Sequence, residues 1–241
     1  MTAIDAMLAD TRHRPYALPT GQWIYYQEWN QALFLHWPIP VEILRPHIPE
    51  PFHLDTFEGN CYVSLVAFTM ERLRPRYLPA VPAVSDFEEI NLRTYIDNDN
   101  KKGVYFLNIE AGKSVSAFLA KAISGLPYEK ANMHRTLSSY RSSNPAKGFS
   151  LDTEFEVKAS IENKSPLDCW LTERYCLYLA DKNQYFRYDI HHQEWKLKTV
   201  DIQKLQLQYH IGTLDLSVQA PALTHYADGV QVVAWRRQEL G

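Results

Sequence analysis

Glu88-Glu89-Ile90-Asn91-Leu92-Arg93-Thr94-Tyr95-Ile96 is the stretch on which the fold turns. Its strict alternation and its β-branched and aromatic residues read as a strand. Glu89, Asn91, Arg93 and Tyr95 share one face, and Ile90, Leu92, Thr94 and Ile96 share the other. The second face can enter a hydrophobic core. The first carries an acid, an amide, a guanidinium and a phenol in one row. Facing water, that row makes an ordinary amphipathic strand. Facing the inside of a closed sheet, it makes a polar site in a pocket.

The flanks extend the β reading. Asp97 to Gly103 is rich in turn formers and reads as a hairpin loop, with Val104 to Glu110 as the return strand. It has the acids of a calcium loop without the spacing or the closing Glu. Upstream, Arg72 to Pro82 holds three prolines (Pro75, Pro79, Pro82) and reads as a loop able to cover a cavity mouth. Asn60 to Met70 is apolar on both faces, as expected of a central, doubly buried strand. Ser64 is the polar side chain in its middle, read either as a hydroxyl bonded to backbone or as a ligand contact.

Gln22 to Trp37 reads as one or two aromatic-rich strands ended by Pro38 and Pro40, and Val41 to Pro46 as a short helix. Lys113 to Ser124 has apolar residues at helical spacing, Ser114 as a cap, and Gly125 and Pro127 as stop signals, so it reads as the principal helix. From Ala131 onward the pattern is almost all strand, including Trp170 to Leu179 and Tyr185 to His192 around Asp181-Lys182-Asn183. About ten to twelve strands without alternating helices argue for a mainly β, antiparallel sheet that must curl or close to manage its edges.

Composition narrows the function classes. The 241 residues read as a single domain, 1–241, with residues 1–13 as an N-terminal arm. Hydrophobic residues make up 46%, enough for a core, and the net charge of -3 comes without a basic block, so a nucleic-acid footprint is missing. No apolar run reaches membrane-span length, and the first ten residues lack a signal-peptide pattern. Three cysteines without a C-x-x-C pair point to a reducing, cytoplasmic setting and no disulfide. Nine histidines fall in no metal-binding motif, and no nucleotide or nucleophile-elbow motif is present, so no metal or other cofactor is expected.

A wider set of residues carries a resemblance. It comprises Trp29 to Trp37, Ile48-Pro49-Glu50-Pro51 with Leu54-Asp55, Glu89-x-Asn91-x-Arg93-Thr94-Tyr95 and Gly103-Val104-Tyr105-Phe106. Leu126-Pro127-Tyr128, Leu171 to Cys176 and Ile190-His191-His192 follow in the same order. Together they resemble the YqjF-like family of uncharacterised bacterial proteins, from about Arg14 to about Arg236. More remotely the chain is similar to the acetoacetate decarboxylase superfamily, most plainly at Leu44-Arg45 with Ile48 to Pro51 and at Ser124 to Pro127. That superfamily implies a large curved antiparallel sheet closed into a cone or barrel around a small-molecule cavity, with one principal helix.

The resemblance also implies site positions. In the true decarboxylases the proline is followed by two lysines, the first forming a Schiff base with the keto acid. Tyr128 and Glu129 stand there in this chain, and a phenol cannot form an imine. The family's glutamate falls on Glu89, which the resemblance turns inward. The cavity arginine falls near Asn30, where there is none. The expected function is therefore a small-molecule-binding protein, a sensor or carrier, with Arg93, Asn91, Ser64 and Tyr128 as ligand contacts. The alternative is an enzyme with Glu89 as base, Tyr128 as acid or oxyanion donor, and Arg93 anchoring an anionic substrate. A structural or interaction module with a filled interior is the third reading, and for Arg93 by itself the alternative is that it holds a buried structural carboxylate. The expected partner is a small molecule, with neither nucleic acid nor membrane, and a homo-oligomer is admitted.

Overall fold

The computed structural model describes residues 2–113, 128–181 and 183–240. The expected principal helix at Lys113 to Ser124 lies almost wholly outside the described residues. Four strands run in hairpin succession: β1 (Tyr25–Ile39), β2 (Cys61–Pro75), β3 (Phe87–Asn98) and β4 (Lys101–Ala111). A three-residue strand β5 (Tyr128–Lys130) pairs with β4 in parallel. Strands β6 (Asn132–Arg135), β7 (Ser139–Asn144) and β8 (Phe149–Ser160) form a meander. Then come β9 (Cys176–Asp181), β10 (Gln184–His192) and β11 (Leu197–Gln208). A small two-stranded sheet, β12 (His210–Ile211) with β13 (Leu214–Asp215), precedes β14 (Leu223–Ala234) and β15 (Gln238–Leu240).

Thirteen strands form one sheet in the order β15-β10-β9-β4-β3-β2-β1-β14-β11-β8-β7-β6, with β5 beside β4. A further pairing of β10 with β14 closes part of it into a ring. The sheet is mixed, because β9 and β5 both run parallel to β4, whereas the sequence pattern suggested an antiparallel one. The strands beyond β14, namely β11, β8, β7 and β6, fold back over the outside of β1, β2 and β3.

This arrangement explains why β2 has no polar face. Leu33, Leu35, Val63, Leu65, Ile90 and Leu92 pack outward against Leu151, Phe155 and Tyr140 of the returning strands. Phe34, Val66, Phe68 and Phe87 pack inward with Trp195 and Val232. A strand covered on both faces reads as a continuous apolar run.

Local signals were clear at some junctions and overlooked at others. The β3–β4 turn is tighter than the seven-residue loop expected: Asp99 and Asn100 both take positive φ, 53° and 59°, the two-residue hairpin geometry that Asn and Asp tolerate. β2 continues to Pro75, into the segment read as a loop. Trp170, expected to begin a strand, lies inside helix α4 (Pro166–Thr172), which among the described residues follows the α-helices α1 (Ala3–Ala9), α2 (Val41–Leu44) and α3 (Pro82–Ser85). Ser165 caps α4 in a reciprocal box with Asp168, and Pro166 opens it.

The N-terminal arm is packed onto the ring. Thr2 caps α1 through a box with Asp5, and Met7 is buried against Trp23, Tyr26, Val233 and Trp235. Truncation of a buried methionine costs roughly 2–5 kcal/mol. Met7→Ala is therefore expected to lower unfolding stability by about 2 kcal/mol or more in a urea titration. A midpoint equal to wild type would mean that the arm does not pack in solution.

Candidate functional site

The alternation of β3 places Glu89, Asn91 and Arg93 on the inner face of the ring, and Ile90 and Leu92 in the outer core. Glu89, Asn91 and Arg93 are 3%, 5% and 7% exposed. All three line a cavity with about 90 Å³ open to the centres of water molecules. Most of its wall is apolar and aromatic: Trp29, Phe34, Phe68, Phe106 and Trp195. Tyr128 lines the same space. Its backbone pairs with Ile109 on β4, and its hydroxyl donates to Glu89 Oε2 at 2.9 Å.

Glu89 has an unusual electrostatic setting. Burial pushes its carboxyl up to about 7, against the opposing hydrogen bonds from Tyr128 and, at 3.4 Å, from Asn91 Nδ2. Taking a carboxylate out of water disfavours its charged form, and here that cost outweighs the two donors. Tyr128 is pushed well above its ordinary value, first by burial and then by the neighbouring Glu89. It is therefore a neutral donor across the physiological range. Lys130, two residues on, is exposed.

Arg93 presents the opposite case. Its Nε and Nη2 are buried and have no hydrogen-bond partner. Its guanidinium lies over the Phe34 ring at 5.8 Å. The structural carboxylate considered for it in the sequence is absent among the described residues. Other buried arginines do hold one: Arg174 is bonded to Asp55 at 2.6 Å and Arg187 to Asp189 at 3.3 Å. Asn91 Oδ1 is buried without a partner as well.

Ser64 lies opposite Arg93 in register but is not among the residues lining the cavity. Its hydroxyl is not bonded to backbone. It meets His36 Nδ1 at 2.6 Å and the Tyr95 hydroxyl at 2.5 Å. His36 Nε2 meets His225 Nδ1 at 3.2 Å, and His225 Nε2 meets Asp168 at 2.9 Å. Burial holds both imidazoles below their ordinary value, so both are neutral. The carboxylate can only accept, so His225 donates to it from Nε2 and accepts at Nδ1. His36 then donates from Nε2 and accepts the Ser64 proton at Nδ1. Tyr95 has one hydroxyl proton, shared between Leu171 O at 3.0 Å and the Ser64 oxygen at 2.5 Å. This closed chain ties α4 to the sheet beside the cavity. Sequence reading missed it, because its members lie up to 189 residues apart.

The ring of strands around this cavity has an acetoacetate decarboxylase-like fold. The enduracididine biosynthesis enzyme MppR, complexed with the condensation product of pyruvate and imidazole 4-carboxaldehyde, superposes with a TM-score of 0.63 at 9% identity, over 93% of this chain and 92% of that one. An acetoacetate decarboxylase-like enzyme from Sphingomonas wittichii RW1 superposes with a TM-score of 0.61 at 12% identity, over 91% and 94%. These likenesses establish a shared fold. A model of the family DUF2071, described as an uncharacterized conserved protein, matches residues 26–231, and the chain belongs to that family. Uncharacterized protein YqjF of Bacillus subtilis (strain 168) is 34% identical over 229 residues, covering 91% of this chain and 93% of its own length.

The shift at Glu89 makes a stability prediction. A carboxyl whose value is raised from 4.5 to about 7 on folding favours the fold in its protonated form. That contribution is present below about 4.5 and is lost as pH rises through about 7. The span corresponds to about 3 kcal/mol at 1.36 kcal/mol per unit. Glu89→Gln, which cannot ionise, should gain stability relative to wild type between pH 5 and pH 8 by up to that amount. A pH-independent difference in chemical denaturation would place Glu89 in contact with water. Tyr128→Phe removes one donor to the carboxylate, so the titration of Glu89 followed by NMR should move above 7.

Proposed function

We propose that this chain is a small-molecule-binding protein, a sensor or carrier, whose cavity takes a small organic acid with its carboxylate on Arg93. The supporting observation is the Arg93 guanidinium, buried with two nitrogens unpartnered. An uncompensated buried charge costs several kcal/mol, and a ligand carboxylate would recover much of that through paired, charge-assisted hydrogen bonds. Asn91 contacts the middle of the ligand, and the aromatic wall covers its apolar body. Ser64 acts from behind, through the histidine chain rather than by touching the ligand. MppR is described with a pyruvate condensation product bound, and its shared fold makes the ring interior the natural site.

A second reading, an enzyme transferring a proton, is favoured by the Glu89–Tyr128 pair. A general base works best with a value near the ambient pH, and Glu89 stands at about 7. In that reading Glu89 removes a proton and Tyr128 donates to the developing oxygen charge. An imine mechanism is not part of either reading, since Tyr128 takes the expected lysine position and Lys130 is exposed. We assign the chain to a reducing cytoplasm, in keeping with its three free cysteines. No helix among the described residues is long and apolar enough to cross a membrane.

Isothermal titration with straight-chain carboxylates from acetate to hexanoate tests the proposal. Wild type should bind at least one of them, and Arg93→Met should weaken that binding tenfold or more. Arg93→Met should also equal or exceed wild type in stability, because it removes an unpaired buried cation. Equal carboxylate affinity in the two proteins, or binding by neither, would overturn the assignment.

A further inference from the structure

Along β3 the unpartnered atoms change type from one end to the other, while elsewhere on the cavity wall the Trp29 indole Nε1 is a further donor without a partner. At the Arg93 end the free groups are donors, Nε and Nη2. At the Glu89 end they are acceptors. Tyr128 donates to Oε2 and Asn91 Nδ2 to Oε1, so both neighbours already give protons to the carboxylate and neither takes one. Asn91 turns its other amide atom, Oδ1, away from Glu89, and that acceptor is buried with no donor. A ligand that satisfies only Arg93 leaves the acceptor end with a buried carboxylate and an idle amide oxygen.

We infer that the cavity is built for a small zwitterion of the ω-amino acid class, with its carboxylate on Arg93 and its ammonium against Glu89 and Asn91 Oδ1. This rests on the carboxylate reading above and adds the other end of the ligand. An ammonium carries three donors, enough for Oε1, Oε2 and Oδ1 together. The walls suit a cation too, since Trp29, Phe68 and Tyr128 present aromatic faces in the same enclosure. With both ends engaged the buried charges cancel: Arg93 against the carboxylate, Glu89 against the ammonium.

Length follows from the strand. Glu89 and Arg93 are four residues apart, about 13 Å along β3. That is the Cα spacing; with both side chains standing roughly perpendicular to the strand, subtracting two hydrogen bonds of about 2.9 Å leaves roughly 7 Å between the ligand's charged groups. That is the reach of an extended five-carbon chain. A cavity of about 90 Å³ open to the centres of water molecules is well above the size needed for one water, so it admits a small organic molecule. 5-Aminopentanoate has the length that the strand spacing asks for.

The test compares 5-aminopentanoate, pentanoate and pentylamine by isothermal titration on the wild-type chain at pH 8 and pH 5.5. At pH 8 the amino acid should bind at least tenfold more tightly than either truncated probe. At pH 5.5, below the Glu89 value of about 7, most of its advantage over pentanoate should disappear. On Glu89→Gln at pH 8 the amino acid should bind no better than pentanoate does to the same variant. Pentanoate binding as tightly as 5-aminopentanoate to wild type would overturn the zwitterion and leave the carboxylate reading standing. So would an advantage that survives in Glu89→Gln. Binding by pentylamine and 5-aminopentanoate alike, with none by pentanoate, would overturn the Arg93 end and with it both readings. Binding by none of the three probes would overturn the zwitterion, and the acetate-to-hexanoate series would then decide the carboxylate reading by itself.

Discussion

Three residue pairs close the ring: Ile190 with Ala234, His191 with Val233 and His192 with Val232. Everything distinctive about the interior depends on that closure. An open sheet of this size would leave its concave face wet, and Glu89, Asn91 and Arg93 would be an ordinary polar stripe. Joining β10 to β14 removes an edge and encloses the stripe in a medium of low effective dielectric. The N-terminal arm reinforces the seam, since Met7 packs on Val233 and its carbonyl accepts from His191 Nε2 at 2.8 Å. Arg14 adds a hydrogen bond to Ile190 O at 2.7 Å. The shift at Glu89 and the cost of Arg93 are thus consequences of a backbone pairing some distance along the chain.

The family scaffold also sets what chemistry the ring can host. The position following Leu126-Pro127 delivers a side chain against Glu89, and in this chain that side chain is a tyrosine. A phenol far above its ordinary value neither forms an imine nor carries charge. It offers a fixed donor and a flat apolar face. A neutral hydroxyl, unlike an amine, presents Glu89 with no potential cation. That is one reason its carboxyl stays near neutrality rather than being drawn down by an ion pair.

Much of this was legible in the sequence, and the failures have physical causes. The alternation of β3 marked a strand and named its two faces. It did not say which face looked inward, because a polar row normally faces water and only the returning strands β8 and β11 bury the other side. The continuous apolar run of β2 did announce a doubly covered strand, and it was right. Helix α4 was signalled by Ser165-Pro166-Leu167-Asp168, a capping box with proline at its first position, but Trp170 and Leu171 read as strand residues. The hydroxyl of Ser64 was read as bonded to backbone or as a ligand contact, and in the structure it meets His36 and Tyr95. In an antiparallel pair the residue opposite matters more than the backbone nearby, and β1 sets His36 directly across from it. The His36–His225 contact had no local signal, since only the β1–β14 register, Phe34 against His225, brings those rings together.

The interior therefore holds two polar systems of different character a few residues apart on the same strands. In the first, Tyr95, Ser64, His36, His225 and Asp168 satisfy one another in sequence, and each proton has an acceptor. Such a network gains from the low dielectric, because every hydrogen bond in it is made. It needs nothing from outside, and its natural role is to hold α4 and the strands in place. The second runs from Glu89 through Asn91 to Arg93, and it contains the buried guanidinium and the amide oxygen that remain unpaired. The same low dielectric makes those atoms costly. A fold able to complete five partners in the first system had the means to give Arg93 a carboxylate, as it did for Arg174. Buried unpaired atoms occur outside the cavity too, Arg174 Nη2 among them, but of these two systems the unpaired one lines the cavity and the paired one stands behind it, which separates the part that maintains the structure from the part we assign to a ligand.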